Sequence, residues 1–141
     1  MKRFFLLTLA SAALLGASAA PVKTYEVKSP DGRLALVLTA GERLSFTVAR
    51  DGETLVAPSE MALTLSTGEV LGESPRVRSA RRRAVTETID APLYRQSRFD
   101  AAYNELDLRL RGDYGILARA YDDGVCYRFY TERDGRSEEH T

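Results

Sequence analysis

Short apolar or alternating runs follow one another from Tyr25 to the end of the chain, separated by Gly, Pro and Asp at spacings of roughly 8 to 12 residues. A period of two places successive side chains on opposite faces of a strand, and no long run shows the 3.6-residue period of an amphipathic helix. The pattern predicts an all-β fold, an antiparallel β-sandwich that is incomplete at its C-terminal end. The predicted strands cover residues 25–29, 34–40, 44–50, 53–57, 61–65, 76–80, 84–89, 103–111, 116–121 and 125–130.

The clearest hairpin signal is Asp51-Gly52, because this dipeptide readily takes positive φ at both central positions of a type I′ turn. A two-residue loop fixes the register of the flanking strands, so Phe46, Val48 and Leu55 are expected to share a buried face. The expected cross-strand pairs are Arg50–Glu53, Val48–Leu55 and Phe46–Ala57.

A second hairpin is predicted around Asp122-Asp123-Gly124. With a two-residue loop, Arg119 opposes Arg128 while Ala118 and Ala120 lie beside the aromatic residues Phe129 and Tyr127. With a three-residue loop, Arg119 opposes Tyr127. The first register is preferred.

The N-terminus has the three parts of a secretory signal peptide: Met1-Lys2-Arg3, an apolar run over residues 4–15, and small residues ending Ala17-Ser18-Ala19. Residues 1–19 are therefore predicted to be removed on export to the periplasm or the cell exterior. The apolar run is short for a bilayer core of about 30 Å, and no second apolar stretch follows, so no membrane anchor is expected.

Charge and cysteine content narrow the classes of partner. The chain has 20 basic and 20 acidic residues, and removal of Lys2 and Arg3 leaves 18 basic residues, a net charge of −2. No global field therefore attracts nucleic acid or membranes. Cys126 is the only cysteine, so an exported domain of this sequence has no disulfide and depends on a packed core.

The last six residues form a predicted non-native tail, residues 136–141. Arg-Ser-Glu-Glu-His-Thr is the in-frame translation of a common sequencing-library adapter. His140, the single histidine, lies in this tail, so no catalytic or metal-binding role is assigned to it. Residues 20–135 are predicted to form part of one β-sandwich domain.

Two carboxylate pairs have the residue types of a glycosidase centre, because glycoside hydrolysis uses two carboxyl groups roughly 5 to 9.5 Å apart. Asp122-Asp123 lies in a turn, where Asp bonds to the local backbone, and Glu105 and Asp107 alternate with leucines on the expected solvent side of a strand. Both pairs are interpreted as structural, and no catalytic, cofactor-binding or metal-binding residue is predicted in this chain.

Other unusual residues also have ordinary structural explanations. The basic group of Arg76, Arg78 and residues 81–83 suits a solvated edge strand better than an anion site, and Cys126 is expected to be a small buried hydrophobe. Most tyrosines are expected in the core or at its rim rather than on a sugar-stacking surface. The tyrosines in question are Tyr94, Tyr103, Tyr114, Tyr121, Tyr127 and Tyr130.

Several sequence islands occur in a fixed order behind the predicted signal peptide: Ser29-Pro30-Asp31-Gly32, Leu44-Ser45-Phe46, Asp51-Gly52, Tyr103-Asn104-Glu105-Leu106, Ala120-Tyr121-Asp122-Asp123-Gly124-Val125 and Tyr127-Arg128-Phe129. As an ordered set they resemble the N-terminal domain of glycoside hydrolase family 97. The chain departs from that pattern at Ile89, where an aromatic is expected, and at Arg95, where glycine is expected, so the strand near Pro92 is expected to be irregular.

The resemblance implies that the domain packs on a catalytic (β/α)8 barrel that is missing from this chain. Members of the family are calcium-dependent α-glucosidases and α-galactosidases, and their N-terminal domain helps to close the active site and supplies a calcium-binding glutamate, expected here beyond Arg136. The implied function is an accessory domain of an exported glycosidase that contacts carbohydrate, while this fragment alone is inactive. The alternative is a free-standing carbohydrate-binding or adhesion β-sandwich.

Overall fold

The computed structural model describes residues 21–90 and 98–133, which form ten β-strands. The predicted signal peptide, Pro92, Tyr94, Arg95 and the predicted tail with His140 lie outside the described residues. The strands are β1 Lys23–Lys28, β2 Leu34–Ala40, β3 Leu44–Arg50, β4 Glu53–Glu60, β5 Leu63–Thr64, β6 Val70–Leu71, β7 Val77–Asp90, β8 Arg98–Leu110, β9 Tyr114–Tyr121 and β10 Val125–Thr131.

Two four-stranded antiparallel sheets pack face to face, as the period-two pattern predicts. The first has the order β1-β2-β3-β4 and the second the order β10-β9-β8-β7, and all pairings are antiparallel. The core between them is made of alternate residues of the central strands, including Leu36, Leu38, Leu106, Leu108 and Ile116, each with no exposed surface. The predicted all-β sandwich is confirmed.

A small two-stranded sheet, β5-β6, closes one end of the sandwich. It is held by backbone hydrogen bonds from Met61 to Leu44 and from Leu44 to Gly72, and by the Tyr114 hydroxyl, which accepts a hydrogen bond from the Gly72 amide at 3.3 Å. Gly72 has φ of 101°, and a Cβ atom there would lie 2.3 Å from the Met61 carbonyl oxygen, so this packing requires glycine.

The predicted positions of β2 and β3 match the structure, whereas the long strands were underestimated. The segments 76–80 and 84–89 form one 14-residue strand, β7, because the arginines at 81–83 continue the ladder with β8. β8 begins at Arg98 rather than Tyr103, and β6 was not predicted. Charged residues interrupt the apolar pattern but not backbone pairing, since side chains on an edge strand can remain in solvent.

The Asp51-Gly52 turn is confirmed, with φ of 50° and 82° and Arg50 paired with Glu53. The register predicted beyond it is wrong. Shifts in the ladder pair Val48 with Val56 rather than Leu55, and Phe46 with Ser59 rather than Ala57. A β-bulge adds a residue to one strand, and no property of the turn residues encodes it.

Neither register proposed for the second hairpin is correct. Arg119 pairs with Cys126, and the Tyr121 amide donates to the Gly124 carbonyl at 2.7 Å, so the two-residue loop is Asp122-Asp123. This register pairs Ala118 with Tyr127 and leaves Arg119 beside a small residue. Within residues 21–90 and 98–133, no helix is long and apolar enough to cross a membrane.

Candidate functional site

The most organised polar group lies on the outer face of the second sheet, the face turned away from the core. Glu105 on β8 pairs with Arg83 on β7 and with Arg119 on β9, so the three side chains form one row across the sheet. Arg83 Nε donates to Glu105 Oε1 at 2.5 Å and Arg119 Nε to Oε2 at 2.8 Å. We call these three residues the Glu105 clamp.

Glu105 is buried, with 2% of its surface exposed, so the expectation that it lies on the solvent side is wrong. The alternation was read correctly, since Glu105 does point away from the leucine core. The two arginine side chains cover it, which no pattern on a single strand can reveal. Sequence reasoning connected neither Arg83 nor Arg119 with Glu105.

Two tyrosines extend the clamp. Arg119 lies over the ring of Tyr103 at 4.5 Å from the guanidinium carbon to the ring centroid, and the rings of Tyr103 and Tyr121 are 4.9 Å apart and tilted by 42°. Cation–π and tilted aromatic contacts of this kind fix side-chain orientation. Tyr103 is itself buried, so its ring is not a platform for sugar stacking.

The clamp keeps Glu105 ionised. Burial raises the pKa of its carboxyl group, but hydrogen bonds and charge from Arg83 and Arg119 outweigh burial and hold that pKa below its usual value. Both oxygens are occupied by arginines, and a general acid would need a raised pKa. Glu105 is therefore a structural anion rather than a catalytic acid.

Asp107, the other half of this candidate pair, has a separate partner. The Tyr130 hydroxyl donates a hydrogen bond to Asp107 Oδ1, and burial together with this bond raises the pKa of Tyr130 to about 12. Tyr130 lies over Gly115, where any Cβ atom would meet its ring. Glu105 and Asp107 thus take part in two different contacts.

The second candidate pair belongs to a cluster of turns at one end of the sandwich. Asp122 Oδ1 accepts a hydrogen bond from the Asp31 amide at 2.8 Å, and Asp31 Oδ1 accepts one from the Ser29 hydroxyl at 2.5 Å. Arg33 donates two hydrogen bonds to the Asp51 carboxylate. Three of the sequence islands, at residues 29–32, 51–52 and 122–124, therefore meet here through hydrogen bonds that fix the turns.

The basic residues of β7 behave as the sequence predicts. β7 is the edge strand of its sheet, and consecutive arginines point to opposite faces: Arg83 to Glu105 on the outer face and Arg82 toward β1. Arg82 Nε donates to the Glu26 carbonyl at 3.0 Å, and the neighbouring Asn104 amide donates to the Lys28 carbonyl at 2.8 Å. These bonds satisfy acceptors on the free edge of β1.

The expectation for Cys126 is wrong, since its side chain is exposed on the outer face beside Arg119. Tyr103 and Tyr114 are buried, Tyr121 and Tyr130 are half-buried, and Tyr127 is 39% exposed. The described residues contain no group of three or more side chains able to hold a metal ion.

Two cavities open on the described surface. One of about 800 Å³ opens near the N-terminal end of β1, with Lys23, Arg76 and Arg111 in its wall together with the carboxylate of Glu42. The other, of about 250 Å³, lies between β1 and the β7–β8 pair beside the clamp. The wall of the second cavity includes Glu26 and Glu105, and Glu105 is the carboxylate held by Arg83 and Arg119.

Comparison with known proteins places this geometry in one family. Residues 27–140 match the family model described as glycosyl-hydrolase 97 N-terminal. A retaining alpha-galactosidase of Bacteroides thetaiotaomicron is 37% identical over 110 residues, which are 78% of this chain and 17% of that protein.

Solved structures share the fold. A glycoside hydrolase family 97 enzyme of Pseudoalteromonas sp. strain K8, in complex with panose, matches with a TM-score of 0.69 and 17% identity over 76% of this chain and 17% of its own. A beta-arabinopyranosidase matches with a TM-score of 0.70 and 19% identity over 79% of this chain and 18% of its own. The chain thus spans less than a fifth of these relatives, and it belongs to the glycosyl-hydrolase 97 N-terminal family.

Proposed function

We propose that this chain is the N-terminal accessory domain of an exported, calcium-dependent α-glycosidase that cleaves α-galactosides or α-glucosides. The observation that carries the proposal is the 37% identity to a retaining alpha-galactosidase over most of this chain. The domain packs on a catalytic (β/α)8 barrel elsewhere in the same protein and helps to form its active site. It contributes shape and contacts there rather than the reacting carboxylates.

The chemistry of the described residues supports an accessory role. Retaining glycosidases need a nucleophilic carboxylate and an acid with a raised pKa about 5 Å apart. Glu105 is held between two arginines, and Asp122 accepts a backbone hydrogen bond in a turn. In this proposal the catalytic pair and the calcium ligands lie in other parts of the intact enzyme.

The test compares this chain with the protein encoded by the intact gene. Both are assayed with p-nitrophenyl α-galactoside and α-glucoside, with calcium and with a chelator. The intact protein is expected to hydrolyse at least one substrate and to lose that activity when calcium is removed, whereas the chain alone is inactive. Turnover by the purified chain would overturn the accessory role, and a chelator-insensitive parent would overturn the calcium requirement.

The same two proteins also test the alternative function, a free-standing carbohydrate-binding or adhesion sandwich. That function predicts that the isolated chain binds sugar, measured by calorimetry with galactose and maltose, and that its intact gene encodes no hydrolase activity. The accessory role predicts activity only with the barrel present.

A further inference from the structure

The two large sheets are displaced sideways from each other. β1 lies over β8 and β9, and β2 lies over β9 and β10. Within the described part of the chain, β7 and β4 make no extensive contact with the opposite sheet, so each overhangs at its own side of the sandwich. β7 therefore extends past β1 by about one strand width, and no ladder joins the two strands among the described residues.

The edge of β1 on that side has backbone groups that no neighbouring strand uses within the described residues. The Ser29 amide donates to the Leu34 carbonyl at 2.8 Å, so this pair beside β1 and β2 is hydrogen-bonded. Because bonded and non-bonded pairs alternate along an antiparallel ladder, Glu26 and Lys28 direct their N–H and C=O groups away from β2. These groups face the overhang of β7.

Two side chains of the second sheet occupy the carbonyls at this edge. Arg82 Nε donates to the Glu26 carbonyl at 3.0 Å, and Asn104 Nδ2 donates to the Lys28 carbonyl at 2.8 Å. The cavity of about 250 Å³ lies beside these bonds, so the gap is bridged by side chains rather than filled by a packed core. A strand that paired with β1 would place its own N–H groups at the same two oxygens and would compete with Arg82 and Asn104.

The sequence of this edge is complementary to itself. If two copies of β1 pair antiparallel through their free edges, Glu26 and Lys28 of one copy can lie opposite the same two residues of the other. A register centred on Glu26 opposes two glutamates, and a register centred on Lys28 opposes two lysines. The register centred on Val27 opposes Glu26 to Lys28 in both directions, so its hydrogen-bonded pairs join opposite charges.

We propose that the β1 edge is a surface for pairing with a second copy of this protein, and that Arg82 and Asn104 keep it closed. While their bonds are formed, the carbonyls of Glu26 and Lys28 are occupied. When the bonds are released, two copies pair through β1 with Glu26 opposite Lys28. This surface lies wholly within residues 21–90 and 98–133, so it does not depend on the proposed function.

The double variant Arg82→Ala/Asn104→Ala of the protein encoded by the intact gene tests the closure. It removes both donors, so its dimer dissociation constant in sedimentation velocity is expected to be at least ~10-fold lower than that of the unsubstituted protein. In the dimer, the amides of Glu26 and Lys28 are expected to exchange more slowly with solvent, measured by mass spectrometry with peptide fragmentation. The Val27 amide already faces β2 and is the internal reference.

Charge variants in the same background test the register. Lys28→Glu sets glutamate opposite glutamate, so it is expected to return the dissociation constant to that of the unsubstituted protein. The combination of Glu26→Lys and Lys28→Glu restores opposite charges and is expected to restore the dimer. Both side chains are about half exposed, so neither change should disturb the monomer, which circular dichroism checks.

The outcomes separate pairing through β1 from other association. A double variant that stays monomeric would overturn the proposal. Association that Lys28→Glu does not reverse would also overturn it, because unfolding or another strand edge would then hold the copies together. Recovery of the dimer by the charge exchange supports the Val27 register. Dimerisation of the unsubstituted protein with the same charge dependence would show that Arg82 and Asn104 do not close the edge, and would refute the closed state.

Discussion

The two open sides of the sandwich are built differently. On the β7 side, the overhanging strand carries arginines and threonines together with the exposed Ile89, and Arg82 and Asn104 bond to the free edge of β1. On the β4 side, Leu55 and Val56 are exposed next to an unpaired edge of β10 within the described part of the chain. Charged, hydrogen-bonded edges resist further pairing, whereas apolar ones invite it. The β7 side thus carries charged and hydrogen-bonded side chains, whereas the β4 side exposes apolar side chains.

Glu105→Gln should have the largest effect, because it removes the anion that ties β7 to β8 and β9. Two neighbouring arginines would then lose their common counter-charge. Breaking a buried ion pair costs about 3 kcal/mol or more, and exposure of Arg83 reduces this, so we expect a loss of about 2 kcal/mol in the free energy of unfolding. Urea denaturation measures it, with Glu53→Gln in the exposed hairpin as the control.

The same variant has a pH signature. The pKa of Glu105 is lowered in the folded state, so its stabilisation is present above the unfolded pKa and is lost as the pH falls through the folded pKa. The difference in unfolding free energy between the protein and Glu105→Gln should therefore be full at pH 7 and shrink in acid. A difference that stays constant down to pH 2 would show that Glu105 acts through packing rather than charge.

Asn104→Ala tests a single hydrogen bond on the β7 side, and its effect should be smaller. It removes the hydrogen bond to the Lys28 carbonyl and should cost about 1 kcal/mol in unfolding free energy, measured by urea denaturation. Thr86→Ala is the comparison, because Thr86 lies on β7 and its hydroxyl makes no hydrogen bond within the described part of the chain. Equal effects of the two substitutions would mean that the bond to β1 contributes nothing particular.

The apolar character of the β4 side should be visible to a hydrophobic fluorescent dye. Val56→Lys is expected to reduce dye binding by the isolated chain while changing the unfolding free energy by no more than about 0.5 kcal/mol, since Val56 is already partly exposed. Thr86→Lys on the β7 side should leave dye fluorescence unchanged. Equal dye binding by all three proteins would contradict the contrast between the two sides.

The smallest effect is expected at Tyr130, on the outer face of β10. Its pKa is raised to about 12, so its contribution to stability is present below the unfolded pKa of about 10 and is lost as the pH rises toward 12. An ultraviolet titration of the protein minus that of Tyr130→Phe should show one phenol ionising near pH 12. A difference curve centred near pH 10 would mean that the contact with Asp107 is not formed.

The candidate site was predictable only in part. The turn residues at 51–52 and the opposed directions of Arg82 and Arg83 follow from local geometry. The bond of Asp122 does not, because its partner is the Asp31 amide, 91 residues away, rather than the local backbone. The burial of Glu105 was missed because Arg83 and Arg119 are distant in sequence and only strand pairing joins them. Cys126 was wrongly predicted to be buried for a related reason. A β-favouring run does not show which face of an edge strand packs against the core.

By itself the sequence determined the all-β fold, the bounds of β2 and β3 and the positions of the tight turns, because the two-residue period and positive-φ preferences act within a few residues. Tertiary structure alone decided the register shift in β4, the Asp122-Asp123 loop and the sideways offset of the sheets. Each of these depends on which strand lies opposite. That choice minimises exposed apolar area and unpaired backbone over the whole domain, so no local segment encodes it.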